Sequence, residues 1–345
     1  MERYVYAFVR TLFAAARTRR QALVLGLLIF VINTGLLLFA SIYEGTLYME
    51  GENQGLLELP GVLGILVGDL LTMSIVQWMV DHAENIAKHF PADRSLLSRR
   101  YLRIAKRAML SYIYFENRGA RIYLLACLFA ALFWVNNARQ TLDPYRFYGC
   151  DVFGSMSNPI GYASAKLVFF VSWVVLLPYM AYVSLVILFT FYRVISTTRK
   201  HGRLVFNIFH RDGCGGFSYL GDANIIFLIG MLVIYGELML VLFQHKHFNP
   251  GLISGFVIAT AMLLTGTSVM LYPLRGFLRR KKMWFSVIYN SRLSRSFDQE
   301  TFSRLTHIRN QVSFSPYSGK EKIFIVFVRV VPIFASSAKA YLHLL

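Results

Sequence analysis

Long apolar stretches recur along the chain, and their pattern gives the first prediction of its architecture. About 20 mainly apolar residues are needed to cross about 30 Å of hydrocarbon. Four stretches reach this length almost without charges, whereas one further stretch contains Asp69 and another, shorter one has Arg121 near one end. The predicted spans are about 22–43, 61–80, 119–136, 167–194, 225–243 and 252–274. The pattern therefore predicts an all-α polytopic membrane protein with about six transmembrane helices.

Basic residues are unevenly distributed between the segments that join these spans. Nearly all of the 36 Lys and Arg residues fall on the side that holds the N-terminus, the 81–118 segment and the C-terminal tail. Cytoplasmic segments carry such an excess in membrane proteins. We therefore expect a multi-pass protein of the inner (plasma) membrane with both termini in the cytoplasm. Attraction to anionic lipids of the inner leaflet then explains the net charge of +18. No specific double-stranded nucleic acid partner is predicted.

The overall composition agrees with a bilayer as the solvent. The 345 residues are 56% hydrophobic and 16% charged, with a mean hydropathy of +0.50, whereas soluble domains are about 25% charged. The predicted topology places Cys127 in a span, Cys150 in an external loop and Cys214 in a cytoplasmic loop, so no intramolecular disulfide is expected. No small-residue cleavage pattern follows the first span, which is therefore expected to be retained as an anchor.

The segments outside the spans are predicted to form a small, helical cytoplasmic portion. Residues 1–20 have the pattern of an amphipathic helix that lies on the membrane surface, with covering of a pore mouth as the alternative. The insertion 81–118 contains a predicted helix after Pro91, with an apolar stripe that needs a protein or lipid partner. The stripe comprises Leu97, Tyr101, Ile104, Ala108 and Tyr112. In the basic tail, 275–345, the apolar stretch 323–331 is too short to span and is expected to form a strand or a packed helix.

Two acidic residues within predicted spans are the main candidates for function. Asp69 lies near the middle of the second span with Thr72 close to its face, and Glu237 lies past the centre of the fifth span. An acidic residue in a membrane is costly and marks a functional site by default. Each could line an ion path, or lie neutral and hydrogen-bonded in the bundle. The other polar residues of the spans are predicted to make interhelical hydrogen bonds; these are Asn33, Thr34 and Gln77.

Small residues at helical spacing indicate two candidate sites of close helix packing. Gly64 and Gly68 have the GxxxG spacing in the second span, and Gly251 and Gly255 repeat it at the start of the sixth. This spacing lets helix backbones approach closely.

A glycine-rich loop before the fifth span is the most unusual local sequence. It runs from Phe209 to Asp222 as F-H-R-D-G-C-G-G-F-S-Y-L-G-D, and its candidate residues are His210, Asp212, Gly215 and Gly216. The loop resembles that of a group of uncharacterised prokaryotic multi-span membrane proteins, in which it reads roughly F-H-P-D-x-x-G-G-L. Here Arg211 replaces the proline and Phe217 the leucine. The resemblance implies structural importance for the loop and brings no activity with it.

Three interpretations of this loop compete. The favoured one is a structural turn braced by His210 and Asp212, in which glycines allow tight folding. The second is an anion or nucleotide site with Arg203 or Arg211 beside the turn. The third is a metal site that uses Cys214 as well, but the paired spacing of recognised zinc sites is lacking. We therefore predict neither a metal nor a cofactor.

The sequence favours transport over catalysis. It contains neither H-E-x-x-H nor G-x-S-x-G, so no enzyme is predicted, and a membrane-embedded hydrolase is the alternative. The leading hypothesis is a homo-oligomeric ion channel that is gated from the cytoplasm by a regulatory protein or a nucleotide. In size and plan the chain resembles membrane effectors of bacterial anti-phage defence. The competing hypotheses are a secondary transporter of a small solute and a non-transporting scaffold or sensor, in which the acids would be dispensable.

Overall fold

The computed structural model is entirely helical in its regular secondary structure wherever it describes the chain. It describes residues 7, 13, 17–48, 56, 60–88, 96–116, 118–141, 159–200, 218–244, 250–295, 299–311, 322–328 and 330. No strand occurs among them, which confirms the all-α class. Residues 322–328 are helical, so helix is the correct one of the two alternatives for that part of the tail.

Eight helices are named here in chain order. They are α1 (Arg19–Tyr43), α2 (Pro60–Lys88), α3 (Leu96–Ile113), α4 (Gly119–Thr141), α5 (Pro159–Lys200), α6 (Ser218–Gln244), α7 (Pro250–Leu293) and α8 (Gln299–Gln311). A π-helical segment, Val171–Leu176, interrupts α5. The segments predicted as spans lie within α1, α2, α4, α5, α6 and α7, and the helix predicted after Pro91 is α3.

Three helical segments within the described residues are long and apolar enough to cross a membrane. They are Arg19–Tyr43, Gly64–Ile86 and Pro159–Lys200, and two shorter apolar helices span Gly119–Leu132 and Leu220–Gly236. The 25 residues of α1 make a helix of about 37 Å. The 42 residues of α5 extend about 63 Å, which is twice the hydrocarbon thickness of a bilayer. A crossing α5 must therefore continue well beyond the membrane.

The outward face of α1 is apolar, as in a helix that faces lipid. Its exposed side chains include Leu23, Val24, Leu27, Leu28, Val31 and Ile32. By contrast, its buried residues include the small Ala22 and Gly26 and the polar Asn33. Water-soluble proteins arrange helices the other way round, with the polar face outside. The arrangement agrees with a helix that has hydrocarbon on its outer side.

Helices α2, α5 and α6 form the centre of the bundle. Both α2 and α5 contact α1 and α6, and α5 also contacts α3, α4 and α7. Helices α1 and α2 approach each other closely at Gly26, because a Cβ atom there would lie 2.6 Å from the Leu70 carbonyl oxygen. This glycine was not among the predicted packing residues. Any larger side chain at Gly26 would force α1 and α2 apart.

Helix α3 packs on α5 through a face next to the predicted stripe. Met109 and Ile113 are buried, whereas Ile104 and Ala108 of the predicted stripe are exposed and Tyr112 is half-buried. Part of the predicted stripe is therefore left on the surface of the bundle.

Candidate functional site

A buried polar cluster lies where α1, α2 and α5 meet. Asp69 of α2 is 3% exposed, and its Oδ2 atom accepts one hydrogen bond from each of the other two helices. The Asn33 side-chain amide of α1 donates at 2.7 Å, and the Ser172 hydroxyl of α5 donates at 2.7 Å. Three helices are thus joined at one carboxyl oxygen. We call these three side chains the acid cluster.

Burial of an ionised Asp69 carboxyl group costs more free energy than its contacts in the structure return. No ion pair to Asp69 occurs among the described residues, and both of its partners are uncharged. Interhelical hydrogen bonds in membrane bundles contribute on average about 0.6 kcal/mol each, whereas the burial of an ion costs several kcal/mol. The stability of the bundle therefore gives no reason for a carboxyl group at this position, which favours a functional role.

The Ser172 hydroxyl has one proton and two acceptors within reach. Its Oγ atom lies 2.7 Å from Asp69 Oδ2 and 3.0 Å from the Val168 carbonyl oxygen one turn earlier. When Asp69 is ionised, Ser172 donates to the carboxylate. When Asp69 is protonated, its own proton can go to Ser172 Oγ while Ser172 donates to Val168. The acid cluster therefore accommodates both charge states of Asp69 without movement of a heavy atom.

A π-helical segment presents Ser172 to the carboxyl group. The backbone N–H of Leu177 donates to the Ser172 carbonyl, which is the bond across five residues that defines a π turn. Pro178 follows directly and is buried. Since proline has no N–H and its ring clashes with the carbonyl four residues earlier, it disturbs regular α-helical bonding at this point. π turns are rare and often occur at functional sites.

Thr72 and the glycines of α2 lie close to the acid cluster along the same helix. Thr72 is buried, and its hydroxyl donates to the Gly68 carbonyl oxygen at 2.8 Å. Its hydrogen bond is thus made within its own helix. Gly64 and Gly68 are half-buried.

A second cluster is aromatic and lies beyond the acid cluster along α5, toward Lys200. The Phe13 ring, from the segment before α1, is 1% exposed and stacks on Tyr179 at a centroid distance of 3.9 Å. It also contacts Phe115 and Tyr123, both at 5.5 Å. Tyr182 completes the group by stacking on Phe115 at 5.7 Å. We call these five rings the aromatic cluster.

The tyrosines of the aromatic cluster fasten neighbouring segments through backbone carbonyls. The Tyr123 hydroxyl of α4 donates to Val175 in the π-helical segment at 2.9 Å. The Tyr182 hydroxyl of α5 donates to Tyr112 at the end of α3 at 2.8 Å. The cluster therefore links Phe13, α3, α4 and α5.

Phe115 reaches the aromatic cluster from a strained backbone conformation. Its φ angle is +56°, in the left-handed region. The N–H of Glu116 donates to Ser111 and that of Phe115 to Tyr112, which together make a Schellman motif at the end of α3. The same motif ends α1, where Gly45 takes the left-handed position with φ +67°. A non-glycine residue costs about 1–2 kcal/mol there, and the ring contacts of Phe115 offset that cost.

Polar contacts hold the chain before α1 against the turn between α3 and α4. Arg17 pairs with Glu116 at 2.8 Å and lies over the Tyr114 ring. The Gln77 side-chain amide of α2 donates to the Arg17 carbonyl oxygen at 3.1 Å, and because Arg17 precedes α1 this is not the interhelical hydrogen bond that was predicted. Gln77 also donates to Asp81. Burial raises the pKa of Tyr114 above its ordinary value of 10.0.

Glu44 makes a corresponding contact at the opposite end of α1. Its two carboxylate oxygens accept the backbone N–H groups of Ile160 and Gly161 at 2.8 and 2.9 Å. These N–H groups lie at the N-terminus of α5, where a helix has unpaired donors and a partial positive charge. Glu44 therefore caps α5 from a remote position in the sequence.

Several predicted site residues fall beyond what the structure describes. Glu237 lies within α6 and Gly251 and Gly255 within the first turns of α7, but their side-chain surroundings are outside the described part. The loop candidates also lie outside the described residues; they are His210, Asp212, Gly215 and Gly216. Among the residues that are described, no group of three His, Cys, Asp or Glu side chains could hold a metal ion.

The comparisons with known proteins assign no family. No family model, curated protein or solved structure matches the chain. The geometry of the two clusters is therefore the basis for a proposed function.

The sequence pointed to part of the acid cluster and to no member of the aromatic cluster. Asp69 was found from its charge, and Asn33 makes the interhelical hydrogen bond that was expected. Gln77 instead bonds the chain before α1 and Asp81 of its own helix, and the Thr34 hydroxyl has no hydrogen-bond partner among the described residues. Ser172 and Phe13 were missed. Ser172 is a single polar residue in an apolar stretch, six residues before Pro178, and a polar residue within two turns of a helix-interior proline is a signal that could have found it. Phe13 had no comparable signal, because its partners are distant in sequence.

Proposed function

We propose that the chain is a six-span membrane protein with both termini in the cytoplasm, and that it is an ion channel in a closed conformation. The observation that carries the proposal is the Asp69 carboxyl group, which is buried in the middle of an apolar bundle without an ion pair among the described residues. An acidic group beside a permeation path favours cations. The proposed permeant ion is therefore a cation.

Charged contacts at the two ends of α1 support the proposed orientation. Arg19 pairs with Asp81 of α2 at one end, and Glu44 caps α5 at the other. The length of α1 between these contacts, about 37 Å, suits about 30 Å of hydrocarbon with its interfaces. Basic residues collect at the Arg19 end, which by the positive-inside rule faces the cytoplasm.

The aromatic cluster supports a closed state with a gate at the cytoplasmic end. Tyr179 follows Ser172 on α5 by about two helical turns, and Phe13 stacks on it in a buried position. The segment that carries Phe13 is fastened by Arg17 to Glu116. Opening would withdraw Phe13 from the aromatic cluster. We propose that a cytoplasmic regulatory protein or a nucleotide binds this segment and opens the channel. Gating of this kind would suit a membrane effector of anti-phage defence.

The position of Asp69 favours a path through each protomer. Helices α1, α2 and α5 of a single chain surround the carboxyl group. A path between protomers would instead place the acid on an outer face. Homo-oligomerisation remains a prediction, and the proposed path does not depend on it.

The proposal is tested by ionic current across a planar bilayer that contains the purified full-length protein. We expect Phe13→Ala to raise the open probability, and Asp69→Asn in that background to reduce cation selectivity. Phe39→Ala, on the lipid-facing side of α1, and Glu300→Gln, on the surface of α8, are the matched controls and should leave the currents unchanged. Absence of current from every variant, with the proteins folded, would contradict the channel.

A secondary transporter is the second candidate, and the enclosure of Asp69 favours it. A carboxyl group that is 3% exposed and held by side chains from two further helices has the geometry of an occluded ion site. A transporter predicts saturable uptake of one solute into vesicles, lost in Asp69→Asn, whereas a channel predicts flux that does not saturate. If Asp69→Asn changed neither flux nor uptake, a scaffold or sensor would be the better hypothesis.

A further inference from the structure

An apolar cavity of about 540 Å³ lies between α3, α4 and α5, and it shares only Tyr182 with the aromatic cluster. This volume is within the about 300–1,000 Å³ of typical small-molecule sites. Its wall includes Ala108 of α3, Ile122 of α4, and Leu185 and Phe189 of α5, with Arg193 further along α5. We call it the α3–α5 groove.

The Tyr182 and Thr190 hydroxyls in the groove already donate hydrogen bonds within the protein, whereas the Arg193 guanidinium group is accessible to a ligand. The Tyr182 hydroxyl donates to Tyr112, and the Thr190 hydroxyl donates to the Val186 carbonyl oxygen at 2.7 Å. Arg193 is exposed, and no carboxylate of the described residues forms an ion pair with it. The groove therefore offers an apolar wall and a single guanidinium group, which together suit an anionic amphiphile.

The dimensions of the groove fit the chain of a lipid. Tyr182 and Arg193 line it about three helical turns, or 16 Å, apart on α5. The hydrocarbon depth of one leaflet is about 15 Å, half of the bilayer core. Phe189 is 58% exposed within this interval, and Ile104 and Ile122 are exposed at the rim. Such side chains would be costly in water, and contact with an acyl chain would cover them.

The groove is also continuous with the lipid-facing side of α4. Beyond Ile122, the exposed side chains of α4 are Leu125, Leu128, Phe129 and Leu132. An acyl chain can therefore enter the groove from the bilayer along these apolar side chains.

We propose that the α3–α5 groove binds one anionic phospholipid of the cytoplasmic leaflet, with an acyl chain along Leu185 and Phe189 and its phosphate against Arg193. The inference uses the membrane placement proposed above, but it does not require the protein to conduct ions. Its test records lipid contacts instead of current, so failure of the channel and failure of the lipid site give different results.

The experiment uses the full-length protein in bilayer nanodiscs of equal phosphatidylglycerol and phosphatidylcholine. The photoreactive residue benzoylphenylalanine replaces Phe189 in one sample and Phe129 in another, and mass spectrometry identifies each lipid adduct. Phe129 is the matched control, because it is an exposed phenylalanine on α4 outside the groove. At position 189 we expect phosphatidylglycerol adducts to outnumber phosphatidylcholine adducts about fivefold, which corresponds to about 1 kcal/mol for one basic residue at an anionic surface.

Removal of the cation tests the phosphate contact. Arg193→Gln should lower the ratio of phosphatidylglycerol to phosphatidylcholine adducts at position 189 to about one, which is the ratio of the two lipids in the nanodisc. Arg279→Gln, which removes an exposed cation of α7, should leave the adduct ratio at position 189 unchanged. Position 129 should show no lipid preference in any variant. A second measurement uses the unmodified chain and a photoreactive phosphatidylglycerol, whose adducts should map to residues 182–194.

Two results would overturn the lipid site. One is an adduct ratio at position 189 equal to that at position 129, together with no enrichment of adducts at residues 182–194. The other is cross-linking of position 189 to a peptide of this chain or of a second copy, because the groove would then have a protein occupant.

Discussion

The acid cluster and the aromatic cluster each join other segments to α5, but they do so by opposite means. In the first, two short hydrogen bonds meet at one oxygen of Asp69. In the second, five rings share a large buried area, and the backbone of Phe115 is strained to bring its ring into place. Hydrogen bonds within a bundle contribute little net stability and fix direction, whereas buried aromatic rings contribute much and tolerate several geometries. The comparison indicates that the aromatic cluster contributes most to the stability of the bundle, whereas the acid cluster fixes the relative positions of α1, α2 and α5.

The largest expected effect is the loss of a central ring. Tyr179→Ala removes a fully buried side chain that stacks on Phe13, and truncation of a buried aromatic costs about 3–5 kcal/mol. The free energy of unfolding in detergent micelles, measured by denaturant titration, should fall by that amount. Tyr272→Ala is the control, because this tyrosine is exposed and its loss should change stability by about 0.5 kcal/mol or less. Equal losses from the two variants would contradict a stabilising aromatic cluster.

Loss of a hydrogen bond in the acid cluster should have a smaller effect. Asn33→Ala and Ser172→Ala should each lower the free energy of unfolding by about 0.6–1.7 kcal/mol, the range of interhelical hydrogen bonds in membrane bundles. Because both groups donate to one oxygen, a double-mutant cycle should show coupling between them. Thr190→Ala is the matched control, since its hydroxyl bonds only its own helix. A loss near that of Tyr179→Ala would remove the distinction between the clusters.

The strain at Phe115 can be separated from its ring contacts with two variants. Phe115→Gly and Phe115→Ala lose the same ring, but glycine accepts the positive φ angle at no steric cost. The Gly variant should therefore be the more stable by about 1 kcal/mol in thermal unfolding. At Phe302, inside α8, the order should reverse, because glycine destabilises a regular helix by about 0.5–1 kcal/mol relative to alanine. The same order at both positions would mean that Phe115 is not strained.

The smallest expected effect is a pH dependence from Tyr114. Burial raises the pKa of this phenol in the folded protein, so the folded state holds the proton more tightly than the unfolded state. The contribution is fully present below pH 10 and is lost as pH rises through the folded pKa. Unfolding free energy should therefore decline above about pH 10 in the parent, and less steeply in Tyr114→Phe. Identical pH profiles for the two proteins would exclude this contribution.

The two clusters also differ in how far the sequence predicts them. A charge such as Asp69 is conspicuous in an apolar stretch, and its need for partners makes Asn33 a natural candidate. The left-handed conformation of Phe115 has no such signal, because glycine is the usual residue at that position and occupies it at the end of α1. The place of Phe13 depends on α4 and α5, which are far away in sequence. The aromatic cluster could therefore not be predicted from sequence patterns, because it depends on a strained backbone and on packing between segments that are distant in sequence.

Helix boundaries are a second feature that the sequence pattern predicts only in part. Hydrophobicity predicts a fourth span at 167–194, whereas the helix runs from Pro159 to Lys200. Apolar length indicates which residues can lie in hydrocarbon, but a helix ends where its backbone groups find other partners. At Pro159 such partners are the two oxygens of Glu44, which belong to another predicted segment. The sequence of α5 alone could not have shown this.

The cap that Glu44 provides for α5 has a consequence for the order of assembly during synthesis. Glu44 and Ile160 are 116 residues apart, so at about 5–20 residues per second the ribosome takes on the order of ten seconds to make the second partner. Asn33 and Asp69 are only 36 residues apart and can bond as soon as the first two helices have been inserted. The first helical pair is thus built early around an incomplete acid cluster. The arrival of α5 supplies Ser172 and receives its cap from Glu44 in a single later docking step.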